Sequence, residues 1–171
     1  EPTIPAVPSG AHFPSVNIFT YFNFNVQNFG TLTVNTDGGV SLFGTFINHG
    51  SATLVLASNA TNFLVEGTGT FENHGLVTNN GTFSNEGAFL NCTNGVFNNN
   101  FVYSHSEENF QNLGTFNNFG ELFSEANFQN NGVFNNFNLL NNNDNAANLG
   151  VINILSGSTL RNDLNFVNQA T

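Results

Sequence analysis

Gly114 to Phe137 reads "GTFNNFGELFSEANFQNNGVFNNF", with Phe at 116, 128 and 134, Leu122 between them, and Asn at 118, 130 and 136. A return every six residues fits neither the 3.6 of a helix nor the simple 2 of a strand. Six is a multiple of two, however, so in extended chain each Phe keeps to one face. Written as G-x-F-x-N-x, the hexad starts with "GTFINH" at Gly44 and returns as "GTFENH", "GLVTNN", "GTFSNE" and "GAFLNC" from Gly69. After "TN" it resumes at Gly95, and after Glu107 it continues with "ENFQNL" and is read to the end of the chain.

The third column holds Phe71, Val77, Phe83, Phe89, Phe97, Tyr103, Phe110, Phe116, Leu122, Phe128, Phe134, Leu140, Ala146, Ile152, Ser158 and Leu164. All but Ser158 are apolar or aromatic, as an inward column requires. The fifth column is Asn73, Asn79, Asn85, Asn91 and Asn99, then His105, then Asn112, Asn118, Ser124, Asn130, Asn136, Asn142 and Asn148. Three hexads also align as a block of 18 residues, with Asn100, Phe119, Phe137 and Leu155 at one recurring place. Three short sides per coil predict an all-β fold: a triangular parallel β-solenoid whose handedness the pattern leaves open. Each Phe would face the bore and each N-x-G step would bend the chain, since Gly and Asn visit positive φ most readily. Stacked Asn amides would bond from coil to coil.

The expected organisation is a single domain. Residues 1–15 hold all four Pro and read as an extended arm or edge segment, 16–43 as first strands and coils, and 44–171 as the hexad solenoid. Prolines lack the donor that a central strand needs.

At 171 residues and 39% hydrophobic content the chain is long and apolar enough to bury a core, although only 7% of it is charged. The net charge of −10 reflects a single basic residue, Arg161. Nucleic acids and anionic membranes, whose phosphates need clustered Lys or Arg, are therefore excluded as expected partners. No apolar run reaches a membrane span. Cys92 is alone, so it forms neither an intrachain disulfide nor a Cys-based zinc site, and reads as a small buried hydrophobe. The start "EPTIPAVPSG" and the scarcity of Lys and Arg point to a secreted or cell-surface protein.

A search for chemistry finds no phosphate loop, no His pair at helical spacing and no Cys pair, so no catalytic residue and no cofactor is assigned and the chain is not read as an enzyme. His74 and Cys92 lie 18 residues apart and are predicted to stack, but two ligands make no metal site. Glu107 and Glu125 share that spacing, with Glu108 and Glu121 nearby, which leaves Ca²⁺ as a minor alternative to exposed side chains. Thr45, Thr70, Thr82 and Thr115 share an outward position but are too sparse for an ice-binding face. Asn59, Asn80 and Asn91 begin glycosylation sequons at a frequency so Asn-rich a chain reaches by chance.

The G-T-ϕ-x-N-x pattern of residues 69–167 resembles the repeats of secreted bacterial adhesins and autotransporter passenger domains. The resemblance implies an extracellular β-solenoid used for adhesion or structure and transfers no site residue. The leading expectation is a structural subunit that assembles head to tail with copies of itself into a filament. Its contacts would come from Ile4, Val7, Phe13, Val16 and Ile18 of the N-terminal segment and from an apolar final strand of Leu164, Phe166 and Val167. The alternative is a monomeric adhesin that recognises carbohydrate or a host or cell-surface partner on a solenoid face, with Tyr21, Tyr103 and the acids as contacts.

Overall fold

Alternation of inward apolar and outward polar residues, broken every few positions by a corner, folds the chain into three parallel sheets of nine, eight and eight short strands. The structure is a computed structural model. It describes residues 25–35, 39–58, 60, 62–106 and 109–169, together with the backbone at 6–7, 12–13 and 20–22. Each coil contributes one strand in turn to sheets A, B and C, and each strand pairs with its equivalent one coil away. Thr115–Asn118, for example, lies in sheet B with Phe116 over Phe97 and under Phe134. The expected all-β solenoid is therefore present.

The step between stacked residues is not uniform. Along the Asn column of sheet A it is 18 residues from Asn73 to Asn91, from Asn112 to Asn130 and from Asn130 to Asn148. It rises to 25 between Asn48 and Asn73, where longer corners flank Thr53–Leu56 and Phe63–Val65. Insertions are thus absorbed at corners while strand register is kept.

The bore is filled by aromatic columns. Phe71, Phe89, Phe110 and Phe128 stack along sheet A at centroid separations of 5.6, 4.9 and 4.6 Å, while Phe97, Phe116 and Phe134 stack along sheet B at 4.8 and 5.2 Å. Across the bore the rings meet edge to face, as Phe71 meets Phe83 at 84°. These are the two arrangements that ring quadrupoles favour. The predicted core residues Phe71, Phe83, Phe89, Phe97, Phe110, Phe116, Phe128 and Phe134 are all buried.

Tyr103 occupies the same column between Phe83 and Leu122. It is wholly buried, its hydroxyl has no hydrogen-bond partner among the described residues, and burial holds its phenol pKa well above the ordinary value. It therefore cannot serve as the surface contact expected of it; the side chain of Tyr21 lies outside the described residues. Tyr103→Phe removes a desolvated hydroxyl and is expected to stabilise the fold by about 1 kcal/mol or more, measurable by denaturant unfolding. A destabilised variant would reveal a partner for the hydroxyl.

Two sequence expectations change. Glycine φ is positive among the described residues only at Gly39 and Gly157, so the hexad glycines are not there for left-handed bends. They are there for space: a Cβ on Gly132 would sit within 3.0 Å of the carbonyl of Gly114 and of the Leu113 carbonyl in the neighbouring coil. The hexad register also slips after Ile154. Leu160, not Ser158, stacks on Leu140, and Phe166, not Leu164, stacks on Ala146, with the turn at Gly157 taking up two extra residues. Within the Pro-rich N-terminal segment, Ala6–Val7 and His12–Phe13 are edge strands that pair with Gln27–Asn28 and Thr31–Leu32. They begin sheets A and B of the same solenoid.

Candidate assembly surfaces

The fifth-column asparagines end their strands with side chains turned into the corner rather than forming the bend themselves. Asn73, Asn79, Asn85, Asn91, Asn112, Asn118, Asn130 and Asn136 are all buried. At the end of sheet A one ladder runs through Asn28, Asn48, Asn73, Asn91, Asn112, Asn130, Asn148 and Asn168, each Nδ2 donating to the next Oδ1 over 2.7–2.9 Å. A shorter ladder joins Asn79, Asn99, Asn118 and Asn136 at the end of sheet B, each link 2.8 Å. The second N–H of most of these amides reaches a backbone carbonyl in the next coil, as Asn112 Nδ2 does to Val133 O at 3.0 Å. Only a short amide donates and accepts with the same group, so one residue type repeats without leaving a buried charge. At the end of sheet C the fifth column is mixed: Asn85 Nδ2 meets His105 Nδ1 at 2.8 Å, and Ser124 Oγ donates to Ala126 O.

The two unbroken buried ladders, at the ends of sheets A and B, point the same way, donors toward the C-terminal coil. There the bore opens. Ile152, Leu160 and Phe166 face inward yet are only half-buried, and they line a depression of about 350 Å³ with Val151, Ile154 and Asn168. The strands Val151–Ile154, Thr159–Asn162 and Phe166–Asn168 are the last of sheets B, C and A. Of the residues expected to form an apolar final strand, Phe166 packs on the core and Val167 faces outward in the same strand. Leu164 lies before that strand, exposed in the turn, and is not part of it. At the other end, Val7 and Phe13 fall in strands whose side chains are not described, and Ile4, Val16 and Ile18 lie outside the described residues.

Compared with known proteins, the chain matches no family model, no curated protein and no solved structure. The likeness to repeat solenoids accordingly rests on parallel coils and Asn ladders alone.

Where chemistry was sought, the predicted stacking of His74 and Cys92 is present, with Sγ 3.4 Å from Nε2. Glu72 Oε2 lies 3.6 Å from the same Nε2. Burial, and then the nearby Glu72 carboxylate, raise the Cys92 pKa, which keeps the thiol protonated and makes it a poor nucleophile. Among the described residues no group of three or more His, Cys, Asp or Glu is placed to hold a metal ion. Glu121 and Glu125 are exposed, while Glu107 and Glu108 lie outside the described residues.

The Thr residues of the hexad starts are spread over three faces, Thr45 and Thr70 on sheet A, Thr82 on C and Thr115 on B. Among the sequons, Asn91 is buried in a ladder, out of a transferase's reach in the folded chain, and Asn59 lies outside the described residues. Asn80 Oδ1 accepts from Asn100.

Sequence reasoning missed how charge is distributed. Glu66, Glu86, Glu125, Asp144 and Asp163 all fall on the corner between sheets C and A, and of the other described acids Glu72 lies on sheet A and Glu121 on sheet C. The near-18-residue recurrence of acids was the available signal.

Proposed function

We propose that the chain is a structural protein of a secreted or cell-surface setting, a β-solenoid subunit that stacks head to tail with further copies into a filament. The observation that carries this reading is the repetitive stack of coils, whose last described coil presents to any further coil the surface that each inner coil presents to the next. Inward residues that are covered elsewhere, such as Phe134 and Leu140 at 0% and 1% exposure, give way there to Ile152, Leu160 and Phe166, which a further coil would cover. Three sheet edges lie beside them, and such edges template further strands unless blunted. The common direction of the buried ladders favours head-to-tail stacking, because a reversed coil would set donor against donor. Contacts of this heterologous kind extend without closing.

Electron microscopy and size-exclusion chromatography test it. Filaments that lengthen along the solenoid axis are expected from the 171-residue chain, and Leu160→Asp, which places a charge in the open bore, is expected to shorten or abolish them. Monomers alone at high concentration would sink the reading. The alternative, a monomeric binding module, is favoured by a groove of about 450 Å³ that brings Phe101 and Phe119 beside Asn100, Asn138 and Glu121. Such a mixture of ring, amide and carboxylate suits carbohydrate, and retention of monomer on an immobilised polysaccharide would support it.

A further inference from the structure

Sheet B and its two edges form the side of the prism opposite the acidic corner. From Thr31 to Asn153 its outward positions hold only Thr, Val, Leu and Asn, in a chain whose net charge is −10. No described residue on either flanking corner is acidic. Most of the exposed large hydrophobic side chains gather here as well. Leu76 and Val151 stand on the face; Phe101, Phe119, Phe137 and Leu155 follow one edge, and Leu149 sits on the other. Phe119 and Phe137 stack on each other at 4.4 Å, which joins the edge across these two coils. Down the face runs an outer amide ladder of Asn98, Asn117, Asn135 and Asn153, linked at 2.7–2.8 Å.

We infer that this face pairs laterally with the same face of a second copy of the chain. Charge selects that occupant. Two molecules meeting through sheet B bring uncharged surfaces together and hold their acidic corners on the far outside, whereas any other pairing of faces brings carboxylates closer. Spacing selects it too. An amide in the outer ladder uses one N–H and one carbonyl lone pair along the column, leaving one of each to face outward at the coil repeat. A second copy offers matching acceptors and donors at that same repeat, with Val and Leu between them, as in paired sheets of a dry interface. The arrangement is isologous, so it closes at two.

The face is large enough. Seven strands about 4.8 Å apart, with flanking corners, span roughly 30 by 20 Å, so a pair buries about 1,200 Å², the lower end for specific interfaces. The inference stands apart from end-to-end growth, since lateral pairing uses a side and stacking uses the ends.

Small-angle X-ray scattering and sedimentation of the purified chain over a wide concentration range separate the two. Lateral pairing enlarges the cross-section, while stacking lengthens the particle at constant cross-section. The expected result is a paired cross-section in the wild type. Val133→Glu and the nearly isosteric Asn135→Asp should each weaken pairing by about tenfold or more, because like charges then face each other across the two-fold axis. Gln129→Glu, the same charge change on sheet A, should leave pairing intact. A single-solenoid cross-section at every concentration, or equal loss in all three variants, would overturn the inference. A wild type that stays unpaired but is held by insoluble polysaccharide through Val133 and Asn135 would overturn the second copy as occupant.

Discussion

Asn112→Ala is expected to destabilise the solenoid by about 4 kcal/mol, with the strands before and after it still intact in sequence. The side chain is buried, its Nδ2 donates to Asn130 Oδ1 at 2.7 Å and to Val133 O at 3.0 Å, and its Oδ1 accepts from Asn91 Nδ2 at 2.8 Å. Truncation leaves an orphaned acceptor on Asn130, takes the second donor from Val133 O and leaves a donor on Asn91 with one bond fewer. Each unsatisfied buried group costs about 1–3 kcal/mol, against a total stability of about 5–15 kcal/mol for a domain. Water cannot easily replace the amide inside a closed corner. Asn117→Ala is the control: it breaks links of the same length in the outer ladder, to Asn98 and from Asn135, where solvent substitutes. Its cost should stay below about 1 kcal/mol. Urea unfolding of both variants checks the contrast, and similar costs would mean that the inner ladder owes nothing to burial. In Asn91→Ala/Asn112→Ala the losses should fall short of additive, because the pair shares one bond.

The inner ladder was legible in the sequence because its cause is strictly periodic: every buried strand end demands the same hydrogen-bond arithmetic, so Asn returns in register. The Phe columns were legible for the same reason. Other features depend on distances that no local pattern carries. The role of the glycines hinges on how closely one coil's backbone approaches the next, and positive φ was the reading suggested by residue preference alone. The slip after Ile154 was hidden because two extra residues preserve in-out alternation; "LSGSTL" places Leu160 two positions beyond Ser158, so both registers looked inward. The charge-free face was invisible until the hexads were assigned to three sheets. Once every third hexad is known to end at the corner between sheets C and A, Glu86, Glu125 and Asp163 become one edge, and sheet B becomes the side they avoid.

That division shapes how the chain remains soluble while keeping surfaces for association. With Arg161 committed to Asp163 at 3.0 Å, the acidic edge has no other Lys or Arg to neutralise it and repels its counterparts on other copies. Repulsion along one edge is compatible with contacts at the ends and on the opposite face, and it disfavours random clumping.

Substituting two glycines should separate space from conformation. Gly132→Ala is expected to cost about 3 kcal/mol or more, although alanine in extended chain is usually harmless or helpful. The new methyl would press on the Gly114 carbonyl and on the Leu113 carbonyl group, which are backbone and have no rotamer to turn away. Relief requires widening the coil spacing, which would stretch the bond from Val133 N to Gly114 O, now 2.8 Å, and loosen the stack of Phe116 on Phe134. Gly157→Ala meets nothing within 4 Å, but Gly157 has φ +86°, so its cost is the left-handed penalty alone, about 1–2 kcal/mol. Thermal unfolding should therefore rank Gly132→Ala well below Gly157→Ala. The reverse order would restore the bend as the reason for the hexad glycine and would mean that neighbouring coils tolerate a methyl between their backbones. Hydrogen exchange adds a second reading of the same event: in Gly132→Ala, protection should fall at Val133 and in the strands stacked on it, while in Gly157→Ala any loss should remain within the terminal coil.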